Sequence, residues 1–200
     1  MRNLRRWIAR ALWRLAGWRF AGEAPPSDVG VLVGAPHTTN WDYISMLAIS
    51  WNFGITPKFL GKHTLFRGPI GYLIRATGGV PVDRANPTGV VRDLVARAEA
   101  GEKFLLVVAP EGTREKATYW KSGFYRIAEK TGMPITLGFV DGPTKTVGFG
   151  PTFTPSGDLT ADMDFVRAFY ADKHGVRPQN RTEPRLREEQ QVIEQDGTDG

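Results

Sequence analysis

Apolar and polar positions alternate along this 200-residue chain with two different periods. Short runs such as Val31-Leu32-Val33 and Phe104-Leu105-Leu106-Val107-Val108 are apolar throughout, which predicts strands buried on both faces. Between them lie stretches whose apolar residues return every three or four positions, which predicts helices. Strands are expected at 29–35, 56–60, 80–82, 104–108 and 135–140. Helices are expected at 42–53, closed by Gly54; at 68–76, stopping at Gly78-Gly79; at 90–100; and at 123–131, closed by Gly132. The third is the clearest: Val91, Leu94, Val95 and Ala98 share a face and Gly101 follows. Strands alternating with helices predict an α/β fold with a mainly parallel central sheet flanked by helices.

The first twenty residues follow a different logic. Leu4, Trp7, Ile8, Ala11, Leu15 and Trp18 fall on one helical face, and Arg2, Arg5, Arg6, Arg10 and Arg14 gather around the other. Trp13 stands among the arginines, a position suited to a ring at lipid headgroup level. The pattern predicts an N-terminal amphipathic helix lying in a membrane interface; a surface helix packed on its own domain is the plainer alternative. Arg10 and Arg14 interrupt any signal-peptide core, and no stretch reaches the roughly 20 apolar residues that span a bilayer. Three segments follow: an arm at 1–22, a domain at 23–180 entered through Glu23-Ala24-Pro25-Pro26-Ser27, and a polar acidic tail at 181–200.

Charge sharpens this division. The net charge is +5, whereas residues 1–20 alone carry +6 with Arg19 included, so the remainder sums to about −1. An isolated basic arm points to an anionic surface as partner. A nucleic acid is not expected, because the core offers no continuing basic track. The absence of cysteine excludes disulfides, thiolate zinc sites and a cysteine nucleophile, and fits a reducing compartment.

Candidate chemistry sits where predicted strands end. His37, four intervening residues before Asp42, follows the first strand. A carboxylate beside an imidazole fixes its tautomer and stabilises the imidazolium, which makes a general base. Asn40 and Asp42 also suit the start of a helix, so a purely structural role stays open. Gly78 to Arg84 ends another strand with a guanidinium able to grip a phosphate, and a surface Asp83–Arg84 pair is the bland reading. Glu111, Gly112, Thr113 and Arg114 end a third strand with a carboxylate, a tight turn, a hydroxyl and a guanidinium. Brought to one crevice, these groups would form a site at the carboxyl ends of the strands. His37, Asp42 and Glu111 are a weak metal set without a second histidine at ligand spacing, so no metal is expected. No Gly-x-Ser-x-Gly elbow supplies a nucleophile, which disfavours a hydrolase or thioesterase.

Taken in order, His37 and Asp42, Gly79-Val80-Pro81-Val82-Asp83-Arg84, Pro110-Glu111-Gly112-Thr113-Arg114 and Gly132-Met133-Pro134-Ile135 resemble the four motifs of the glycerolipid acyltransferases, which include the 1-acylglycerol-3-phosphate acyltransferases. Lys58 to Lys62 and the Lys121-Ser122-Gly123 turn are similar as well, and the resemblance covers residues 30–155. Ala109, Glu115 and Pro81 depart from residues common in the family without removing a reacting group. The resemblance implies transfer of a fatty acyl group from a thioester donor, acyl-CoA or acyl carrier protein, to a lysophospholipid hydroxyl, with 1-acylglycerol-3-phosphate as the foremost acceptor. Another lysolipid or a lipid amino acid is the alternative acceptor. His37 would be the base and Asp42 its orienting partner. Arg84 and Arg114, with Lys62, would hold the acceptor phosphate. Glu111 would position the acceptor, and Gly112 and Thr113 would lie in the substrate-binding turn, with backbone N–H groups near Gly112 facing the oxyanion. No cofactor beyond the acyl carrier is implied, and the expected location is peripheral, on the cytoplasmic side of a membrane.

Overall fold

A computed structural model describes residues 2–82 and 85–190. Among these residues seven strands form one sheet: β1 (Arg19–Ala21), β2 (Gly30–Ala35), β3 (Lys58–Lys62), β4 (Gly79–Val82), β5 (Leu105–Val108), β6 (Ile135–Asp141) and β7 (Thr146–Phe153). Their spatial order is β1-β7-β6-β2-β5-β3-β4. Strands β6, β2, β5, β3 and β4 are mutually parallel, whereas β7 runs antiparallel to β6 and carries β1 parallel to itself. The apolar run of β2 lies at the centre, paired with β5 on one side and β6 on the other.

Among the described residues six α-helices accompany the sheet: α1 (Arg2–Leu15), α2 (Trp41–Phe53), α3 (Gly68–Ala76), α4 (Pro87–Glu99), α5 (Gly123–Thr131) and α6 (Leu159–Tyr170). Crossovers β2-α2-β3 and β3-α3-β4 advance towards the β4 edge, while α4 and α5 carry the chain back. Right-handed connections therefore place α2 and α3 on one face and α4 and α5 on the other. Side-chain alternation agrees. Val31, Val33 and Ala35 of β2 pack with Leu94, Phe124, Ile127, Met163, Val166 and Tyr170 from α4, α5 and α6. Leu32, between them in sequence, points the other way, to Ile49 of α2 and to Leu105, Val147 and Phe149.

The expected parallel α/β architecture is present. Strand β3 lies two residues later than its apolar pattern predicts, and β1, β7 and α6 are not among the predicted elements. Residues 181–190 correct the expected tail. Thr182, Leu186 and Glu189 are buried, Arg167 on α6 pairs with Glu189 at 2.6 Å, and the Trp120 N–H donates to the Arg185 carbonyl. The rest of that segment, 191–200, lies outside the described residues.

Helix α1 docks with the face opposite to the one that apolar burial would select. The Arg5 guanidinium lies 5.9 Å from the Trp51 ring centroid, Arg10 Nε donates to Asn52 at 2.7 Å, and Ala9 is buried. Leu4, Trp7, Leu12 and Leu15 remain exposed. Trp13 is the exception and corrects the headgroup-level placement: it stacks on Phe20, centroids 6.1 Å apart, and joins the α2-side core. Trp18, expected on the outer stripe, follows the helix and joins the same core. Among the described residues no helix is long and apolar enough to cross a membrane.

Candidate active site

Because β2, β3, β4 and β5 are parallel, their carboxyl ends line one edge of the sheet. His37 follows β2, Glu111 follows the adjacent β5, and Lys62 ends β3, two strands from β2. At about 4.8 Å per strand, Lys62 starts roughly 10 Å across from the histidine strand. Strand β4 ends at Val82 on the same edge, and Arg84 lies outside the described residues.

The loop from β2 to α2 is built around Asp42. Its Oδ2 accepts the Thr38 and Thr39 N–H groups, each at 2.8 Å, and its Oδ1 accepts the Thr39 hydroxyl at 3.1 Å. Thr39 Oγ1 in turn accepts the Trp41 N–H at 3.1 Å. This reciprocal arrangement follows from the spacing Thr39-x-x-Asp42, that of a capping box. Asn40, expected to cap α2, makes no side-chain capping bond. Asp42 Oδ2 also lies 3.0 Å from His37 Nδ1. The structural and catalytic readings of Asp42 are thus one geometry: the carboxylate closes the turn and, with the same oxygen, holds the ring.

Nδ1–H directed at the carboxylate leaves the Nε2 lone pair as the basic position. The His37 side chain is 22% exposed and that of Asp42 only 8%, so the ring is reachable while its partner is shielded.

Glu111 has a different place from the one expected. It is 3% exposed, and its Oε1 accepts the His37 backbone N–H at 2.8 Å. Oε2 is buried without a hydrogen-bonding partner among the described residues. Burial raises the carboxyl pKa to about 7, against the opposing pull of the His37 N–H. Glu111 joins the end of β5 to the end of β2, and so places the histidine loop.

The turn beyond Glu111 faces solvent. Gly112 has φ +67°, the left-handed region that favours glycine; a Cβ there would press only on the movable end of the Lys121 side chain. Its own N–H donates to the Ala109 carbonyl at 3.2 Å, so of the N–H groups expected near Gly112 to face the oxyanion this one is already engaged. Thr113 accepts the Glu115 N–H at 3.3 Å. Arg114 is exposed and its guanidinium makes no ion pair with the described residues. Lys62 is likewise exposed and unpaired among them.

Two supports lie beyond the residues that the motifs single out. Thr38 is buried, and its Oγ1 accepts the Arg177 N–H at 3.1 Å, so the segment after α6 braces the histidine loop. The 110–121 loop is pinned by Asn180 to the Arg114 carbonyl, 2.9 Å, and by Thr182 to the Ala117 N–H, 2.8 Å. Both braces join residues more than sixty positions apart and have no local signal in the sequence. Among the described residues no three His, Cys, Asp or Glu side chains are grouped to hold a metal.

A sequence model of the Acyltransferase family matches residues 18–136, more than half of the chain. The chain is 29% identical over 143 residues to the 1-acyl-sn-glycerol-3-phosphate acyltransferase of Streptococcus pneumoniae, an alignment covering 66% of this chain and 52% of that protein. It therefore spans about half the length of that curated relative. The fold is similar to the crystal structure of the 1-acyl-sn-glycerophosphate acyltransferase PlsC from Thermotoga maritima, with TM-score 0.60 and 19% identity over 88% of this chain and 78% of that one. The family match contains both His37 with Asp42 and the Glu111 loop, and the chain belongs to the acyltransferase family.

Proposed function

We propose that the protein moves a fatty acyl group from acyl-CoA or acyl carrier protein to the free hydroxyl of 1-acylglycerol-3-phosphate, forming phosphatidic acid in phospholipid synthesis. The observation that carries this reading is the 3.0 Å contact between His37 Nδ1 and Asp42 Oδ2, with Nε2 left as the base.

The acceptor hydroxyl gives its proton to His37 Nε2 as its oxygen attacks the thioester carbonyl. The tetrahedral intermediate collapses, the carbon–sulfur bond breaks, and the imidazolium returns the proton to the departing thiolate. Asp42 stabilises the imidazolium between these steps. The acyl group passes directly between the two bound substrates, without an acyl-enzyme. Arg114 and Lys62, with Arg84, supply positive charge for the acceptor phosphate.

A lipid acceptor places this chemistry at a membrane surface. The outward Leu4, Trp7, Leu12 and Leu15 of α1, with the arginines flanking them, support a peripheral position on an anionic leaflet, on the cytoplasmic side. Incubation of the purified protein with acyl-CoA or acyl carrier protein and a panel of lysolipids, read by thiol release and product mass, tests the reading. Phosphatidic acid as the main product supports it. Preference for another lysolipid or a lipid amino acid changes the acceptor. Free fatty acid released without acceptor, or a stable acylated protein formed from donor alone, overturns direct transfer.

A further inference from the structure

No Asp or Glu occurs between Asp42 and Asp83, while Lys58, Lys62, Arg67 and Arg75 fall within that interval. Lys58 is held by Glu102 at 2.6 Å; the other three are exposed. In their midst the 3₁₀ turn His63–Phe66 and α3 turn large apolar side chains outward: Ile70 is 70% exposed, Tyr72 80%, Leu73 62% and Leu65 49%. Trp41 and Ile44, on the first turns of α2, are exposed as well. The two elements touch through the Tyr43 and Thr77 hydroxyls, 2.7 Å apart.

This surface is preformed. Phe66 is buried, and Arg75 clamps it, donating to its carbonyl at 2.8 Å with the guanidinium 5.1 Å from the ring. Gly71 lies so close that a Cβ would stand 2.2 Å from the Phe66 carbonyl carbon. The turn and helix therefore move as one rigid unit, with apolar side chains outside and its single large anchor inside.

We infer that α3 and the turn before it form a second lipid-inserting element, seated beside the catalytic loop and separate from α1. The occupant is an anionic bilayer rather than a second copy of the chain. Pairing two such patches would oppose Lys62, Arg67 and Arg75 to their like, whereas anionic headgroups neutralise them. Trp41 lies one residue from Asp42, so insertion here brings the headgroup layer to the histidine and shortens the path of an acceptor out of the leaflet. The inference rests on the interfacial reading above and deepens it.

The chain has no cysteine, so one introduced thiol carries a unique environment-sensitive fluorophore. Labels at Ile70→Cys and Leu73→Cys are compared with Leu15→Cys on α1 and Glu129→Cys on the opposite face, using vesicles of phosphatidylcholine with or without phosphatidylglycerol. Blue shifts at positions 70, 73 and 15 with anionic vesicles, and none at 129, support the inference. A shift at 15 alone overturns it and leaves the interfacial reading intact; no shift at any position overturns both. Shifts at 70 and 73 that need only higher protein concentration, with a dimer in sedimentation, assign the patch to self-association and also overturn it. In unlabelled protein, Ile70→Glu with Leu73→Glu is expected to lower partition onto anionic vesicles at least about tenfold. Turnover of a short-chain, monomeric acceptor stays unchanged.

Discussion

Asp42 and Glu111 are two shielded carboxylates that reach the same five-residue loop, and they are furnished in opposite ways. Asp42 receives two backbone N–H groups, a hydroxyl and the His37 imidazole. Glu111 receives one backbone N–H, has a second oxygen without a partner among the described residues, and is pushed to about 7 by burial. The acid that meets the imidazole is surrounded by converging hydrogen-bond donors. The acid behind the loop is placed where charge is costly, and works as a bracket between β2 and β5. Of the two acids, one meets the imidazole itself and the other holds the backbone that carries it.

Removing Asp42 should separate the two roles most sharply. Asp42→Ala is expected to lower single-turnover thiol release on the order of 10³–10⁴-fold, and His37→Ala on the order of 10²–10⁴-fold with the circular dichroism spectrum retained. Asp42→Asn within tenfold of the parent would reduce that acid to a loop brace and erase the contrast.

Acidity offers the next test. Glu111 has a folded pKa near 7 against an unfolded value of 4.5, so the folded state holds its proton more tightly. Its contribution to stability is fully present below about pH 4.5 and is lost as pH rises through 7. The total is on the order of 3 kcal/mol. Urea midpoints across pH 4–8 should show a decline in the parent that Glu111→Gln flattens.

Smaller effects follow outward along the β5 loop. Glu111→Ala, which leaves the His37 N–H buried without an acceptor, is expected to cost about 1–3 kcal/mol in urea denaturation. Glu111→Gln, whose amide oxygen still accepts that bond, should keep activity within about tenfold. Arg114→Ala removes an exposed cation, so KM for 1-acylglycerol-3-phosphate should rise about fivefold, corresponding to roughly 1 kcal/mol. Acceptors without phosphate should be unaffected. An equal rise for both would remove Arg114 from the phosphate grip.

The apolar runs at Val31–Val33 and Leu105–Val108 expose the central strands because a doubly covered strand must be apolar on both faces. The site was legible to the same depth: His37 and Glu111 follow strand ends, Asp42 stands in the first turn of the next helix, and the structure brings all three together. Which Glu111 oxygen meets which donor was not legible, since the bond spans 74 positions in sequence. Strand β1 is three residues long and is defined by pairing with β7 far along the chain. Strand β7 contains Gly148, Gly150 and Pro151, which blur a strand pattern. Helix α6 does carry a local signal, with Asp158 accepting the Ala161 N–H and Leu159, Met163, Val166 and Tyr170 at helical spacing. Residues 181–190 read as a tail because they are polar, yet they are held by polar bonds such as Ser122 and Arg126 to Glu188.

Strand β2 is flanked on both edges, and Val31 and Val33 are fully buried. Its amide protons can exchange with solvent only when the whole sheet opens. The histidine loop follows directly from that doubly paired segment. Thermal inactivation should therefore coincide with global melting, with no earlier stage in which an intact body carries a disassembled centre.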